Sequence, residues 1–339
     1  MKGKQGMVCM GLLLVLSSCH TGKQITASGL QRKDFQTEVN GQHTDLFTLS
    51  NKQGMEVCIT NYGARVVSIL VPDRNGKRED VVCGFSTITE YMEQRQNFGS
   101  TVGRYIGRIL NARFTLDGVE YKLVPNNGKS GHISHGGNPG FADRIWKVEQ
   151  ADTHRVCLSY LSPDGENGFP GNLKVTLVYS LGEDDNALDL TYEATTDAPT
   201  VLNLSHHSFF NISGNFTKSV EDQQLWVDAD RFTPYDDKKC VTGEYLPVAG
   251  TPLDFRMPHT IGECIDADHP QLKVVNGYDH TWELNTKGDD TRPAAWVYDP
   301  ASGRKMEIFT TEPGMQIYTG NGLKGKMTGK GGMAYPFRS

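Results

Sequence analysis

The sequence predicts an all-β fold, a large antiparallel β-sandwich, from three observations. From Phe47 onward, short runs rich in Val, Ile, Thr, Tyr and Phe alternate with clusters of Pro, Gly, Asp and Asn, the pattern of strands joined by tight turns. No comparably long segment carries apolar residues at helical spacing. The 37 glycines among 339 residues supply many turn positions, and strand following strand argues for an antiparallel sandwich over a βαβ arrangement. Sandwiches of this size form single domains, and this one is placed at residues 31–339.

The first nineteen residues are of another kind. Lys2 and Lys4 precede an apolar run from Met7 to Leu16, which leads through Ser17 and Ser18 to Cys19. The run falls well short of the roughly 20 apolar residues that a spanning helix needs, so residues 1–19 read as a processed signal peptide of the bacterial lipoprotein kind. Cys19 is then the lipidated amino terminus. Each buried acyl methylene contributes about 0.8 kcal/mol, so a multiply acylated cysteine holds a domain at a membrane surface without a spanning segment. Residues 20–30 read as a tether, and the location implied is the bacterial cell envelope, in the periplasm.

Along the domain, residues 64–71 read as a strand closed by the turn residues Pro72, Asp73, Arg74, Asn75 and Gly76. The same grammar recurs at 113–116, 156–161 and 174–181, each followed by a turn cluster. Seven cysteines are present, with Cys9 and Cys19 inside the signal. The other five, Cys58, Cys83, Cys157, Cys240 and Cys264, are odd in number and form no CxxC pair, so they read as small structural hydrophobes. A net charge of −6 with no basic cluster beyond 324–330 leaves no electrostatic footprint for nucleic acid.

Four segments hold polar side chains suited to a site: NGKSGHISHGG (127–137), NLSHHSFFN (203–211), GYDHTWEL (277–284) and TTEPGMQIYTGN (310–321). His132 and His135 fall in a polar loop between strands, a common place for binding groups. His206 and His207 are neighbours in a strand pattern, so only one of them faces a given pocket. Asp279, His280, Glu312, Gln316, Tyr318 and Asn321 complete the set. Histidine, with a reference pKa of about 6.5, gives and takes protons near neutrality. His132, His135, His207 and His280 are also candidate imidazoles for a metal held as in cupins, but no HxH pair occurs and no metal is expected.

In their order along the chain, these segments together with NYGARVVSILVPDRNG (61–76), VGRYIGRI (102–109) and SPDGENGFPGNL (162–173) resemble the aldose 1-epimerases, the galactose mutarotase family, from about Phe47 to the last residue. The resemblance implies a mutarotase-type supersandwich whose cleft binds a free hexose, glucose or galactose, without a cofactor. It implies a carboxylate that removes the anomeric hydroxyl proton while a histidine protonates the ring oxygen; the ring opens, the aldehyde end rotates, and closure gives the other anomer. His207 matches the acid and His135 the second histidine near the ring oxygen. Arg108 matches the arginine on the sugar hydroxyls, and Asp279 the aspartate on the hydroxyls remote from the anomeric carbon. A guanidinium offers a polyol only donors and a carboxylate only acceptors.

Three departures accompany the resemblance. Gly107 stands where the family has Asn, which removes one polar sugar contact, and His206 stands where Asn or Gln is common. The segment GKGGMAYPFRS (329–339) corresponds to the lead-in to the family's FCLETQ-like segment, whose Glu is the catalytic base. No residue of this chain matches that base; it is expected after Ser339, and the domain is expected to lack its C-terminal strands. A positioned base contributes roughly 10²- to 10⁴-fold to rate. Two readings therefore stand beside the epimerase: a sugar-binding remnant with impaired catalysis, and a glycosidase using Asp279 with Glu312, which needs carboxyls roughly 5 to 10 Å apart.

Overall fold

Burial alternation sets the layers of this molecule, for which the computed structural model describes residues 24–325 and 327–339. In Leu173–Leu181 every second residue is buried and those between face outward, the period of a strand with one face on a core. That strand belongs to a four-stranded antiparallel meander with Lys147–Ala151, Arg155–Ser162 and Leu188–Thr196. A second meander, Leu46–Ser50, Glu56–Thr60, Arg65–Pro72 and Arg78–Asp80, shares its core. Val57, Ile59 and Val66 from one and Val156, Leu158, Val175 and Leu177 from the other form a single buried cluster with Trp146.

The second half of the chain repeats the plan with shorter strands. One sheet has the spatial order His259–Thr260, Gln224–Val227, Ala295–Tyr298, Lys305–Ile308; the other runs Leu246–Pro247, Arg231–Thr233, Asp279–Glu283, Gly314–Tyr318. Leu225, Val227, Phe232, Trp282, Leu284 and Ala295 fill its core. Two short antiparallel pairings, attached to the first half, lie outside these four sheets: Ser100–Val102 with Ser205–His207, and Arg108–Ile109 with Ile133–Ser134. These carry His206, His207 and Arg108, and His135 directly follows the second.

The expected strands appear as Arg65–Pro72, Arg113–Leu116, Arg155–Ser162 and Leu173–Leu181. Among the described residues the α-helices are short, Ile88–Gln94 and Pro270–Val275. The first is fixed by a capping box in which Thr87 Oγ1 accepts from the Glu90 N–H and the Glu90 carboxylate accepts from the Thr87 N–H. None of the described helices is long and apolar enough to cross a membrane. Cys58, Cys83, Cys157, Cys240 and Cys264 are all free, and burial pushes the Cys58 thiol up to about 11.

One expectation needs correction. Residues 24–30, assigned to a tether, are folded onto the second meander: Ile25 bridges Gln31, and Leu30 is only 5% exposed. The buried Glu56 carboxylate draws the segment in by accepting from the backbone N–H groups of Ala27 at 3.0 Å and Ser28 at 3.2 Å. Two charge-assisted bonds to backbone outweigh the freedom of a short polar segment. The proposed signal, residues 1–19 with Cys19, lies outside the described residues.

Candidate active site

His207 ends the strand Ser205–His207, directly opposite Ser100, and its carbonyl accepts from the Gly99 N–H at 2.9 Å. Gly99 is required there: its φ is 66°, and a Cβ would stand 1.9 Å from the Val66 carbonyl oxygen. Strand alternation then separates the neighbouring histidines as expected. His206 turns toward Tyr179 and shares a 2.6 Å hydrogen bond between its Nε2 and Ser208 Oγ. His207 turns the other way, stacks on Phe209 at 5.2 Å, and meets the His135 ring edge-on with centroids 5.6 Å apart.

His135 is presented by a turn that only this sequence of small residues fits. Its own φ is 53°, and Gly136 and Gly137 follow at 78° and 108°. A Cβ on Gly136 would stand 1.9 Å from the Gly103 carbonyl oxygen, and one on Gly137 would strike the Asn167 side chain. The expected loss at Gly107 is thereby given a use: Gly107 accepts from the His135 N–H at 2.9 Å and donates its own N–H to His135 Nδ1 at 3.3 Å. With Nδ1 accepting, the proton of the neutral ring sits on Nε2, a donor. Burial, then His207 and Arg108, push His135 down to about 3. Burial also lowers His207, aided by the Arg65 cation and opposed by a backbone hydrogen bond.

Arg108 precedes this turn in space, paired with Ser134, and donates Nη1 to the Lys239 carbonyl at 3.0 Å. Its charge reaches both His135 and Asp279. Asp279 comes from the other half of the molecule, opposite Tyr318. Its Oδ1 accepts from Gln316 Nε2 at 2.6 Å, and the same amide nitrogen donates to the Tyr235 hydroxyl at 3.2 Å. Burial raises Asp279 above the usual carboxylate range, against the pull of Gln316, Arg108 and Lys239. Tyr318 closes the circle by meeting Phe209 edge-on at 5.5 Å. Arg108, His135, His207 and Asp279 thus line one region through a continuous set of contacts.

The remaining candidates are elsewhere. His132 is buried, with Nδ1 accepting from the Asn111 N–H at 3.0 Å. His280 lies among Phe232, Tyr235 and Trp282 with Nε2 on Gln271 Oε1, and burial pushes it down to about 4. Asn321 spends its amide on the Val275 and Tyr278 carbonyls. Glu312 is exposed in the turn before Gly314–Tyr318, whereas Asp279 pairs with the far end of that strand. Six residues of extended chain span roughly 20 Å, too far for a carboxylate pair acting on one glycosidic bond. Among the described residues, no three His, Cys, Asp or Glu side chains cluster as metal ligands.

Tyr235, Phe209 and Arg65 were not singled out from sequence. Phe209 was accessible by the strand period, since it lies two residues from His207; Tyr235 carries no local signal.

A family model described as aldose 1-epimerase matches residues 45–336. Galactose mutarotase of Sus scrofa is 39% identical over 293 residues, covering 86% of this chain and 82% of that one. Aldose 1-epimerase of Escherichia coli K12 is 36% identical over 286 residues, covering 84% and 81%. Among solved structures, the GalM/aldose epimerase homologue of C. elegans superposes with a TM-score of 0.79 at 30% identity over 87% of each chain. Galactose 1-epimerase of Lactobacillus acidophilus NCFM does so with a TM-score of 0.77 at 28% identity, over 89% of this chain and 90% of that one.

Proposed function

The chain belongs to the aldose 1-epimerase family, and we propose that it interconverts the α and β anomers of free aldohexoses in the cleft formed by Arg108, His135, His207 and Asp279. The observation that carries this reading is the pair of imidazoles meeting 5.6 Å apart beside a guanidinium and a half-buried carboxylate. His135, with its proton fixed on Nε2, donates a hydrogen bond to the ring oxygen. Protonated His207 gives its proton to that oxygen as the bond to the anomeric carbon breaks. A carboxylate base takes the anomeric hydroxyl proton, leaving an open-chain aldehyde; rotation and the reverse transfers yield the other anomer. Asp279 and Gln316 accept from and donate to the remote hydroxyls.

The base is assigned to a carboxylate following Ser339. Support comes from where that residue sits: a Cβ on Gly320 would stand 2.8 Å from the Ser339 carbonyl oxygen, which puts Ser339 beside the end of the strand that carries Gln316 and Tyr318. The test is polarimetry of freshly dissolved α-glucose and α-galactose, with and without formate as a small stand-in base. A formate-dependent acceleration that vanishes in His207→Ala is expected. Acceleration without formate moves the base into residues 24–339, and no His207-dependent acceleration from folded protein overturns the reading.

We also assign residues 1–19 to a lipoprotein signal with Cys19 as the acylated residue, and the protein to the bacterial cell envelope on its periplasmic side. The support is the Lys2 and Lys4, apolar run, Ser17-Ser18-Cys19 order of the sequence. Cys19→Ala is expected to lose both fatty-acid labelling and the membrane fraction; retention of either refutes the assignment.

A further inference from the structure

Arg65 is a buried cation that the reaction does not use. It is 1% exposed, yet it donates its hydrogen bonds to backbone carbonyls: Nη1 to Gln96 at 2.7 Å and Phe98 at 2.9 Å, Nη2 to Ala142 at 2.9 Å, and Nε to Tyr62 at 3.4 Å. Buried guanidinium groups are ordinarily matched by a carboxylate; among the described residues none forms an ion pair with Arg65. Its neighbours are instead the Tyr91 ring at 4.6 Å and the Tyr62 ring at 5.7 Å, with Tyr179 and Asp143 near enough to act on its charge. The Asp143 carboxylate is already engaged by the Gly140 N–H.

The carbonyls it holds are not arbitrary. Phe98 precedes Gly99, whose N–H binds the His207 carbonyl, and Val66 N–H binds the Gly99 carbonyl. Ala142 lies in the turn Phe141–Asp143 that follows the His135 loop, anchored by Phe141 N–H on the Gly103 carbonyl against which Gly136 is packed. A register shift in the ladder, with Cys58 opposite Ser68 but Ile59 opposite Val66, leaves Val67 as the extra residue and re-aims the start of the strand. We propose that Arg65 is a positioning residue for the histidine pair, clamping the segments that carry His135 and His207 and acting on His207 through its unneutralised charge.

The charge has a definite consequence. His207 faces His135 across the cleft, with Arg108 on the strand next to His135, and the Arg65 guanidinium, held on the Phe98 carbonyl one residue before the Gly99 N–H that binds the His207 carbonyl, acts on it as well. Arg65 disfavours a second positive charge on His206 and His207 alike, making His207 a stronger acid that is loaded only at lower pH. This inference rests on the assignment of His207 and His135 to the ring oxygen, but its test needs no turnover.

The experiment is an NMR titration of the histidine rings in the wild-type chain, Arg65→Met and Arg65→Lys, with His207→Gln used only for assignment. In Arg65→Met, His206 and His207 are expected to titrate higher by about one pH unit. His280, shifted by burial and His269, is expected to stay in place. Arg65→Lys keeps the charge and is expected to leave His207 low. An unmoved His207 in Arg65→Met, or an equal rise at His280, overturns the proposal. Should Arg65→Met fail to fold, Arg65→Gln, which retains donors for two carbonyls, is read by the same criterion. Where polarimetry detects turnover, the alkaline limb of kcat/KM is expected to rise in Arg65→Met and hold in Arg65→Lys; a merely structural residue would lower both rates without moving the limb.

Discussion

The two halves of the molecule bring different things to the cleft, and hold them differently. His135 and His207, on the short pairings attached to the first half, are fixed by backbone: Gly107 on both sides of His135, Gly99 behind His207. Asp279 and Gln316, on adjacent strands of the second half, are held by a side-chain bond to each other. A group that moves protons must keep one tautomer and one environment through the cycle, which rigid backbone supplies. A group that binds hydroxyls must exchange partners when a sugar arrives, which a solvent-reachable side-chain bond allows. The division therefore separates the chemical step from substrate binding.

That division is broken or sharpened first at its two centres. His207→Ala is expected to lower the His207-dependent rate by roughly 10²- to 10⁴-fold with little change in KM. Asp279→Asn exchanges a charged acceptor for a neutral amide, and hydrogen bonds to charged groups contribute about 1.5–3 kcal/mol. KM is then expected to rise roughly ten- to hundredfold, with kcat changed less. Polarimetry over a range of hexose concentrations reads both, and a KM effect at His207 with a kcat effect at Asp279 would reverse the assignment. Because burial raises Asp279, its charge costs stability at neutral pH. Asp279→Asn is accordingly expected to melt slightly higher, which calorimetry checks.

Acid should also expose the difference, and here the sign follows from the buried histidines. His135 and His206 are pushed to about 3 and His280 to about 4, mainly by burial, whereas the unfolded chain protonates histidine near pH 6.5. As pH falls from about 6.5 toward 4, the unfolded state binds protons that the folded state does not. Stability present above the unfolded value is therefore lost across that window, by up to about 1.4 kcal/mol per pH unit for each such histidine. Urea midpoints measured at pH 7 and pH 5 are expected to fall. The fall should be shallower in His206→Asn and in His280→Gln, and a midpoint independent of pH would contradict the neutral assignment.

Much of this was legible because it is local. The strand at 174–181 follows from period two and its turn from Gly182 to Asn186, and the opposite facing of His206 and His207 needs no tertiary information. What sequence left out is contact between distant segments. Tyr235 reaches the site only because Gln316 lies across the sheet from Thr281. Arg65 stands at the head of an apolar strand, and its partners are carbonyls, which no sequence pattern marks. The packed segment 24–30 was misread for the same reason, since the residue that captures it, Glu56, lies in another strand. Gly107 seemed a lost sugar contact until its backbone was seen to set the His135 tautomer.

The smallest expected effect sharpens the comparison most cheaply. Glu312 belongs to the same motif as Gln316, yet it sits exposed beyond the far end of Gly314–Tyr318, its backbone N–H donating to Thr310 Oγ1. Surface substitutions without buried partners usually change stability by less than about 0.5 kcal/mol. Glu312→Gln should therefore leave both the polarimetric rate and the melting temperature near wild type, within about twofold for the rate. A large loss of rate with an intact fold would place a catalytic carboxylate at the opposite end of the strand from Asp279. It would then be the binding half, and not a segment following Ser339, that supplies the base.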